Sequence, residues 1–553
     1  MPSLSRRLQS CLYLLLLVGL SACARQDAPA EPVTLRFSIV ANAEVVGSLV
    51  GVTDASSVEV DYRVDDNGRG PKHHGSIVIG DQGIPLSWKI EGTSLMGGPV
   101  AEDYRWDQGV ARWTSQADAG ERKAPVPALY VVNDGSPWAI GVYARALLQV
   151  PGLRLDAVPG GRLQLERLQD EPVGSGDALV TTTVYRLTGV DLQPVYLLLD
   201  SQQQLFAVLP GSLMSGALVV REGYESHGEQ FQALVSRLGM ERAEQLQQQL
   251  AHRSDGPVTI RNVHVFDPVT ATRGPRVTVT LDGGRIAAIT PCSGAPETGK
   301  PDAGPAGGDS TTGLRGYDGE GGTLVPGLHD MHSHSTLDSG LWYLAAGVTA
   351  TRDMGNDNAF LMDLMTRIDA GTVAGPRIVR NGFLEGRSPY SARTGIVADT
   401  LDEALEAVRW YAANGYWQIK IYNSLNPDWV KPVAAEAHRL GMGVTGHVPA
   451  FSSPDRVIGD GYDEIAHVNQ LMLGWLLTPD EDTRTPLRLT GMARAAGLDL
   501  ALSPKVQATI ALMKQHDTAL DTTAVILELL MLSRAGDMSP GGGYFLDHMP
   551  VGY

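Results

Sequence analysis

Between residues 33 and 220 apolar and polar positions alternate in short runs broken by turn residues. Val33-Thr34-Leu35-Arg36-Phe37-Ser38, Ser57-Val58-Glu59-Val60-Asp61-Tyr62 and Arg162-Leu163-Gln164-Leu165-Glu166 show the period of two, and Gly75-Ser76-Ile77-Val78-Ile79 is more continuously apolar. Stretches 180–187 and 194–199 continue the pattern, which predicts an antiparallel β domain with helix largely absent. The domain closes with a helix over 229–252, where Phe231, Leu234, Leu238 and Leu246 recur at roughly helical spacing. Residues 258–267 and 276–289 read as further strands, with Asp282-Gly283-Gly284 as a hairpin turn. The stretch 293–316 is rich in Gly, Pro, Thr and Asp and predicts a mobile excursion. From Leu324 onward the rhythm changes to apolar runs alternating with helical segments, as at 401–413 and 429–440, which is the pattern of βα units.

Composition narrows the class. The chain has 553 residues, 43% of them hydrophobic and 19% charged, which describes a globular protein and excludes wholesale disorder or a polytopic membrane protein. A net charge of −18 argues against nucleic acid as a partner. Arg6 and Arg7 precede an apolar stretch from Cys11 to Leu20, and Leu20-Ser21-Ala22-Cys23 then resembles the lipobox of bacterial lipoproteins. That resemblance implies a leader over 1–22 and lipidation of Cys23. Ala24 in the next position implies the periplasmic face of the outer membrane, with an Ala/Pro-rich tether over 23–32. The membrane would be touched through the lipid anchor alone. Loss of Arg6 and Arg7 with the leader shifts the net charge from −18 to −20. Of three cysteines only Cys292 then remains as a thiol, so no intramolecular disulfide is available.

The candidate chemistry lies in the βα region. Pro326-Gly327-Leu328-His329-Asp330-Met331-His332-Ser333-His334 puts Asp330, His332 and His334 on one face of a strand and His329 on the other. Two imidazoles on one face can chelate one metal ion. In Trp417-Gln418-Ile419-Lys420-Ile421-Tyr422, one face is apolar and suits helices, leaving Gln418, Lys420 and Tyr422 for a barrel interior. There a lysine loses hydration and its pKa falls; the neutral amine can take up carbon dioxide as a carbamate that bridges two cations. The same lysine could equally be solvated at a strand end. His447 and His467 each end a short apolar run, where parallel barrels carry their chemistry. Taken singly, each also suits a hydrogen-bonded core position. His73 and His74, beside Lys72, read as a solvated loop pair.

Together with Gly347-Val348-Thr349-Ala350-Thr351-Arg352-Asp353-Met354-Gly355, Gly375-Pro376-Arg377-Ile378 and Ala437-His438-Arg439-Leu440-Gly441, these motifs resemble the amidohydrolase superfamily, specifically its prolidase-like and imidazolonepropionase-like hydrolases. The resemblance covers residue 258 onward. It implies a TIM-like (β/α)8 barrel holding two divalent ions, with zinc favoured and manganese or cobalt as substitutes. His332 and His334 would ligate the more buried ion, a carbamylated Lys420 would bridge, and His447 and His467 would hold the second. Asp330 would support the ligands, Tyr422 would touch substrate, and His438 would be structural. The implied reaction is hydrolysis of a carbon–nitrogen bond in a cyclic amide or Xaa-Pro, dipeptide-like small molecule, by water activated between the ions.

One expected element is missing from the pattern. The family's strand-eight aspartate sits in a Gly-Thr-Asp context, and no such tripeptide occurs. The spacing predicts a strand over 498–505 and a helix over 521–534, so that none of Asp517, Asp521, Asp537 and Asp547 ends a convincing strand, Asp547 coming nearest; the catalytic aspartate is therefore unassigned. The expected architecture is a β-rich domain over 33–255, a small β subdomain over 256–325 and a barrel over 326–553 that stops before strand eight, with the coding sequence expected to continue past Tyr553. Two other readings stay open: a mononuclear deaminase of the same superfamily, which Lys420 argues against, and a non-catalytic binding or envelope lipoprotein with a degenerate barrel.

Overall fold

The computed structural model describes residues 31–553 except 42, 67, 96, 212–215, 293–314, 393, 532–533, 535–536, 538–542, 544 and 551–553. The leader, most of the tether, Cys23 and nearly all of the Gly/Pro-rich excursion therefore lie outside the described residues. Two compact units are present: one is formed by the described residues through 228 apart from 67–69, with those after 534, and the other by 67–69 and 229–534. No described helix is long and apolar enough to cross a membrane.

The first unit is a 15-stranded sheet, antiparallel throughout except at one edge, where Leu129–Tyr130 runs parallel to its neighbour. Period-two patterning produces it directly: along Ser57–Val64 every second residue is buried. A sheet of this width must curl, and its inner face closes on helix α1 (Trp138–Leu148). This helix, which the sequence pattern did not predict, stands in a unit otherwise built almost wholly of strands. Apart from Arg145 it is apolar all round, so it carries little amphipathic signal; such a helix is stable only when largely surrounded. Trp138 meets Phe37 edge-on at 6.2 Å. Gly51 makes room beneath it, since a Cβ there would fall 2.2 Å from the indole. Buried Glu102 fixes the loop entering α1 by accepting from Tyr130 Oη and from the Asn133 and Asp134 amides. His73 and His74 also depart from expectation. They sit on strand Lys72–Ile79, with His73 facing the core and His74 paired outward with Asp61 and Glu59.

The second unit begins with helix α2 (Gly228–Leu250) and a small sheet containing Val258–Asp267, Thr272–Asp282 and Arg285–Pro291. The predicted hairpin is present: Gly283 and Gly284 have φ of 53° and 74°, a conformation that glycine adopts without strain. Parallel βα units follow. Strands β1 (Leu328–Ser333), β2 (Val348–Asp353), β3 (Arg377–Gly386), β4 (Gln418–Ile421) and β5 (Gly443–Gly446) pair side by side in chain order. Next come β6 (Glu464–Ala466) and β7 (Ala519–Asp521), parallel to each other, with the Asp463 amide reaching the Val444 carbonyl of β5 at 2.9 Å.

The helices are α3 (Ser339–Ala345), α4 (Asn358–Asp369), α5 (Leu401–Ala413), α6 (Val430–Arg439), α7 (Pro454–Gly459), α8 (Val468–Leu476), α9 (Leu487–Thr490), α10 (Pro504–His516) and α11 (Ala524–Met531). The result is a partly curled parallel half-barrel. Ile419 and Ile421 pack outward with α5 and α6 residues such as Val408 and Val433. Two predicted elements are corrected. Residues 498–505 form turns leading into α10 instead of a strand, and Asp521 ends β7 instead of opening a helix.

Candidate functional site

The inward face of this half-barrel brings together the histidines and lysine singled out from the sequence. His332 lies on β1 and His334 just beyond it; Lys420 is on β4, and His447 and His467 immediately follow β5 and β6. The His332 ring centroid is 4.4 Å from that of His467 and 5.6 Å from that of His334, and His447 lies 4.8 Å from His467. Two backbone features permit this. Gly446 brings β5 so close to β4 that a Cβ would meet the Ile421 carbonyl at 2.1 Å. His467 has φ of 69°, a left-handed conformation costing about 1–3 kcal/mol in a non-glycine residue; its amide is held by the Asp521 carbonyl at 2.7 Å.

Each imidazole is anchored through Nδ1. His334 donates to the Gly355 carbonyl at 2.6 Å, His332 pairs with Asp521 Oδ2 at 2.6 Å, His447 with Asn423 Oδ1 at 2.7 Å and His467 with Thr523 Oγ1 at 2.7 Å. An anchor of this kind fixes the tautomer and leaves the lone pair on Nε2, as in metal-binding histidines. His447 Nε2 is buried and has no hydrogen-bond partner. His332 Nε2 faces Lys420 Nζ at 3.2 Å.

Burial keeps these groups neutral. Lys420 is 1% exposed; desolvation, with the nearby Arg488 charge, lowers its pKa to about 7. Desolvation lowers His332 to about 4 against the pull of Asp521, and His467 to about 2; His447 falls well below its usual range for the same reason, helped by Arg488. The interior is thus lined by imidazoles held neutral and by a lysine amine that loses its charge near neutrality.

Two further residues shape the site. Asp521, a candidate aspartate that the sequence pattern put at the start of a helix, is the more consequential, because its carboxylate lies against the back of His332. Burial would raise its pKa, but the hydrogen bond to His332 and the Arg352 charge hold it below the usual value. Arg352, 3% exposed, ties the strands together beneath the site. It donates to the Met331 carbonyl at 2.7 Å and to Gln418 Oε1 at 3.3 Å, and it pairs with Glu464 at 2.9 Å and Asp521 at 3.2 Å. The sequence signal for Asp521 is slight: an apolar pair and an acid between two helical runs. Arg352 sits in a quoted motif, but only the fold shows what it touches. Asp330 accepts from the His332 amide at 3.0 Å and so shapes the strand end. Tyr422 packs at a tilt, its ring centroid 4.1 Å from that of His447 and 4.7 Å from that of Phe383. His438 lies away from these groups, paired with Asp463.

The donor set fits a divalent cation: neutral imidazoles with fixed tautomers, an orphaned buried Nε2 and a neutral amine. Among the described residues no three His, Cys, Asp or Glu side chains form a ready-made coordination shell, His332 Nε2 being turned onto Lys420.

No family model and no curated protein matches the chain. Similar solved structures are prolidases and amidohydrolases, at low identity and over about half of this chain. One is a prolidase complexed with N-methylphosphonate-L-proline, 17% identical over 51% of this chain and 84% of that one, with a TM-score of 0.33. Bottromycin amidohydrolase is 20% identical over 47% and 51%, with a TM-score of 0.35. Ochratoxinase from A. niger is 17% identical over 50% and 67%, with a TM-score of 0.32. These likenesses are shallow, and the chemistry of the site is read from its own residues.

Proposed function

We propose that the chain is a metal-dependent amidohydrolase that cleaves a carbon–nitrogen bond in a small cyclic amide or dipeptide-like substrate. The observation that carries this reading is the gathering of four imidazoles, each anchored through Nδ1, on the half-barrel face that also holds the buried Lys420. His332, His334, His447 and His467 would hold divalent cations, for which zinc suits the imidazole donors. Such ions supply Lewis acidity toward a carbonyl and lower the pKa of water. Lys420, with a pKa of about 7, is largely uncharged above neutrality. Its amine can add to carbon dioxide and release a proton to give an anionic carbamate, a bidentate donor facing His332. Asp521 and Arg352 hold His332 in one tautomer, and Asn423 does the same for His447.

The test is metal analysis of the full chain loaded with zinc, with and without bicarbonate, alongside hydrolysis of cyclic amides and Xaa-Pro dipeptides. Close to two ions per chain with amide turnover is expected, and Lys420→Ala should lower the stoichiometry. Failure to retain zinc, or two bound ions without turnover of any amide, would overturn the reading.

A further inference from the structure

A second cavity of the half-barrel unit is lined by none of the histidines, nor by Lys420, Tyr422 or Asp521. It encloses about 240 Å³ between the loop after β5, helix α8, the segment leading into α9 and helix α10. Three of its lining side chains carry a buried polar atom that has no hydrogen-bond partner among the described residues: Gln470 Nε2, Ser452 Oγ and Thr483 Oγ1. Gln470 is only 3% exposed. A buried polar group left unpaired costs its full desolvation, so whatever displaces solvent from this cavity must supply partners to all three.

The walls are fixed in advance. Gly474 lets α8 touch the start of α7, since a Cβ there would fall 2.2 Å from Pro454 Cδ. Thr509 Oγ1 accepts from Trp475 Nε1 at 3.1 Å and donates to Asp455 Oδ1 at 2.6 Å, which leaves Oδ2 of Asp455 as an acceptor. Phe451, half-exposed, has φ of 64°, a left-handed conformation uncommon in a bulky residue. Its ring lies 5.2 Å from the Arg484 guanidinium, which Asp482 grips through two hydrogen bonds of 2.9 and 2.8 Å, and that pair frames Thr483.

Charge and polarity narrow the occupant. Glu481 is taken up by Arg494 at 2.6 Å, so the remaining charges, Asp455 and Lys505, offset each other and an ion of either sign meets its like. A purely apolar guest would strand Gln470, Ser452 and Thr483. A hydroxyl-bearing ring without charge satisfies every wall: hydroxyls donate and accept, as do Ser452, Thr483 and the Gln470 amide, while the C–H faces rest on Phe451 and Trp475. The volume lies below the ~300–1,000 Å³ of pockets for drug-sized ligands, which suits a single ring.

We propose that this cavity is a binding site for one uncharged sugar ring, held by Gln470, Ser452, Thr483 and Asp455 against Phe451 and Trp475. The site is independent of the hydrolase reading, since it uses none of the residues given to metal or to amide cleavage.

Calorimetry of the full chain with D-glucose, D-galactose and D-mannose, set against D-glucuronate, D-glucosamine in its ammonium form and cyclohexanol, reads this directly. At least one neutral sugar should bind about tenfold tighter or more than the anion, the cation and the apolar ring, the margin expected when a buried polar group is left unmatched. Thr483→Val, close in shape, and Ser452→Ala should each weaken that sugar about tenfold with the circular dichroism unchanged. Phe451→Ala, at the exposed wall, should weaken it about threefold or more. Binding of no neutral sugar, equal or tighter binding of any of the three controls, or a sugar affinity untouched by both Thr483→Val and Ser452→Ala overturns the proposal. Zinc content and amide turnover of the same variants should not move; they bear on the hydrolase reading alone, and a loss of zinc in Thr483→Val would overturn the independence of the cavity.

Discussion

Both units contain a buried histidine with an unpaired ring nitrogen, and the two could hardly differ more in setting. His73 is 9% exposed in the core of the large sheet; neither ring nitrogen has a hydrogen-bond partner of good geometry, and Tyr62 packs edge-on at 5.8 Å. His447 is 1% exposed in the half-barrel, where Asn423 pins Nδ1 and leaves only Nε2 unsatisfied. Unanchored and surrounded by Tyr62, Trp88 and Ile90, the first ring is a space-filler with polar atoms. Anchored and facing other bases, the second keeps an open Nε2, as the proposed metal site requires. Burial alone does not mark a functional imidazole; the partner on its far nitrogen does. The wider interiors repeat the contrast, one sheet curling around an apolar helix and the other around nitrogen bases and a network centred on Arg352.

The comparison breaks most visibly at its polar end. His447→Leu should abolish binding of one zinc ion per chain and lower amide turnover by about 10³-fold or more, with the fold retained. Zinc stoichiometry and circular dichroism check it, and unchanged stoichiometry would place His447 with His73. At the apolar end Trp138→Ala should cost about 3–5 kcal/mol of stability, because the sheet cannot collapse onto the gap. Denaturant unfolding measures this, and turnover per folded molecule should stay as it was.

An intermediate effect belongs to the anchors. Asp521→Asn keeps the shape but removes the charge behind His332 and should weaken zinc affinity about 10–100-fold in chelator competition. A change below twofold would deny the anchor its role. The smallest effect concerns His73, whose pKa is lowered chiefly by burial. Its folded pKa lies below the unfolded value, so the unfolded chain binds more protons as pH falls through 6.5 and stability is lost on acidification. His73→Phe should flatten that acid slope and change stability at pH 8 by about 1 kcal/mol or less. A slope that persists would assign the acid sensitivity elsewhere.

Much of this was legible in the residues. Period-two runs marked the strands of the first unit, the hairpin at Gly283-Gly284 stood out, and Ile419 and Ile421 faced outward from Lys420 as alternation required. What escaped did so for physical reasons. Helix α1 has no polar face, so it lacks the helical period by which a sequence betrays an amphipathic segment. Strand β7 is three residues long, too short for any period, so the sequence pattern gives Asp521 no strand to end. The ties of Arg352 to Met331, Gln418, Glu464 and Asp521 exist only once four other strands have come together.

The strand order of the large sheet carries a consequence for how the protein comes off the ribosome. Strand Val33–Ala41 lies within the sheet, pairing on one side with the next strand in sequence, Glu44–Asp54, and on the other with Leu218–Arg221. At about 5–20 residues per second, roughly 10–40 s pass before the second neighbour has even been made. Throughout that interval an apolar strand with Phe37 and Ile39 offers an unpaired edge, an invitation to intermolecular pairing. The strands of each flanking meander pair with near neighbours in sequence, so the pairing of Phe37 with Arg221 is the longest-range contact of the sheet, the kind that contact order expects to form late. A chaperone that shields a strand edge during synthesis would act here first.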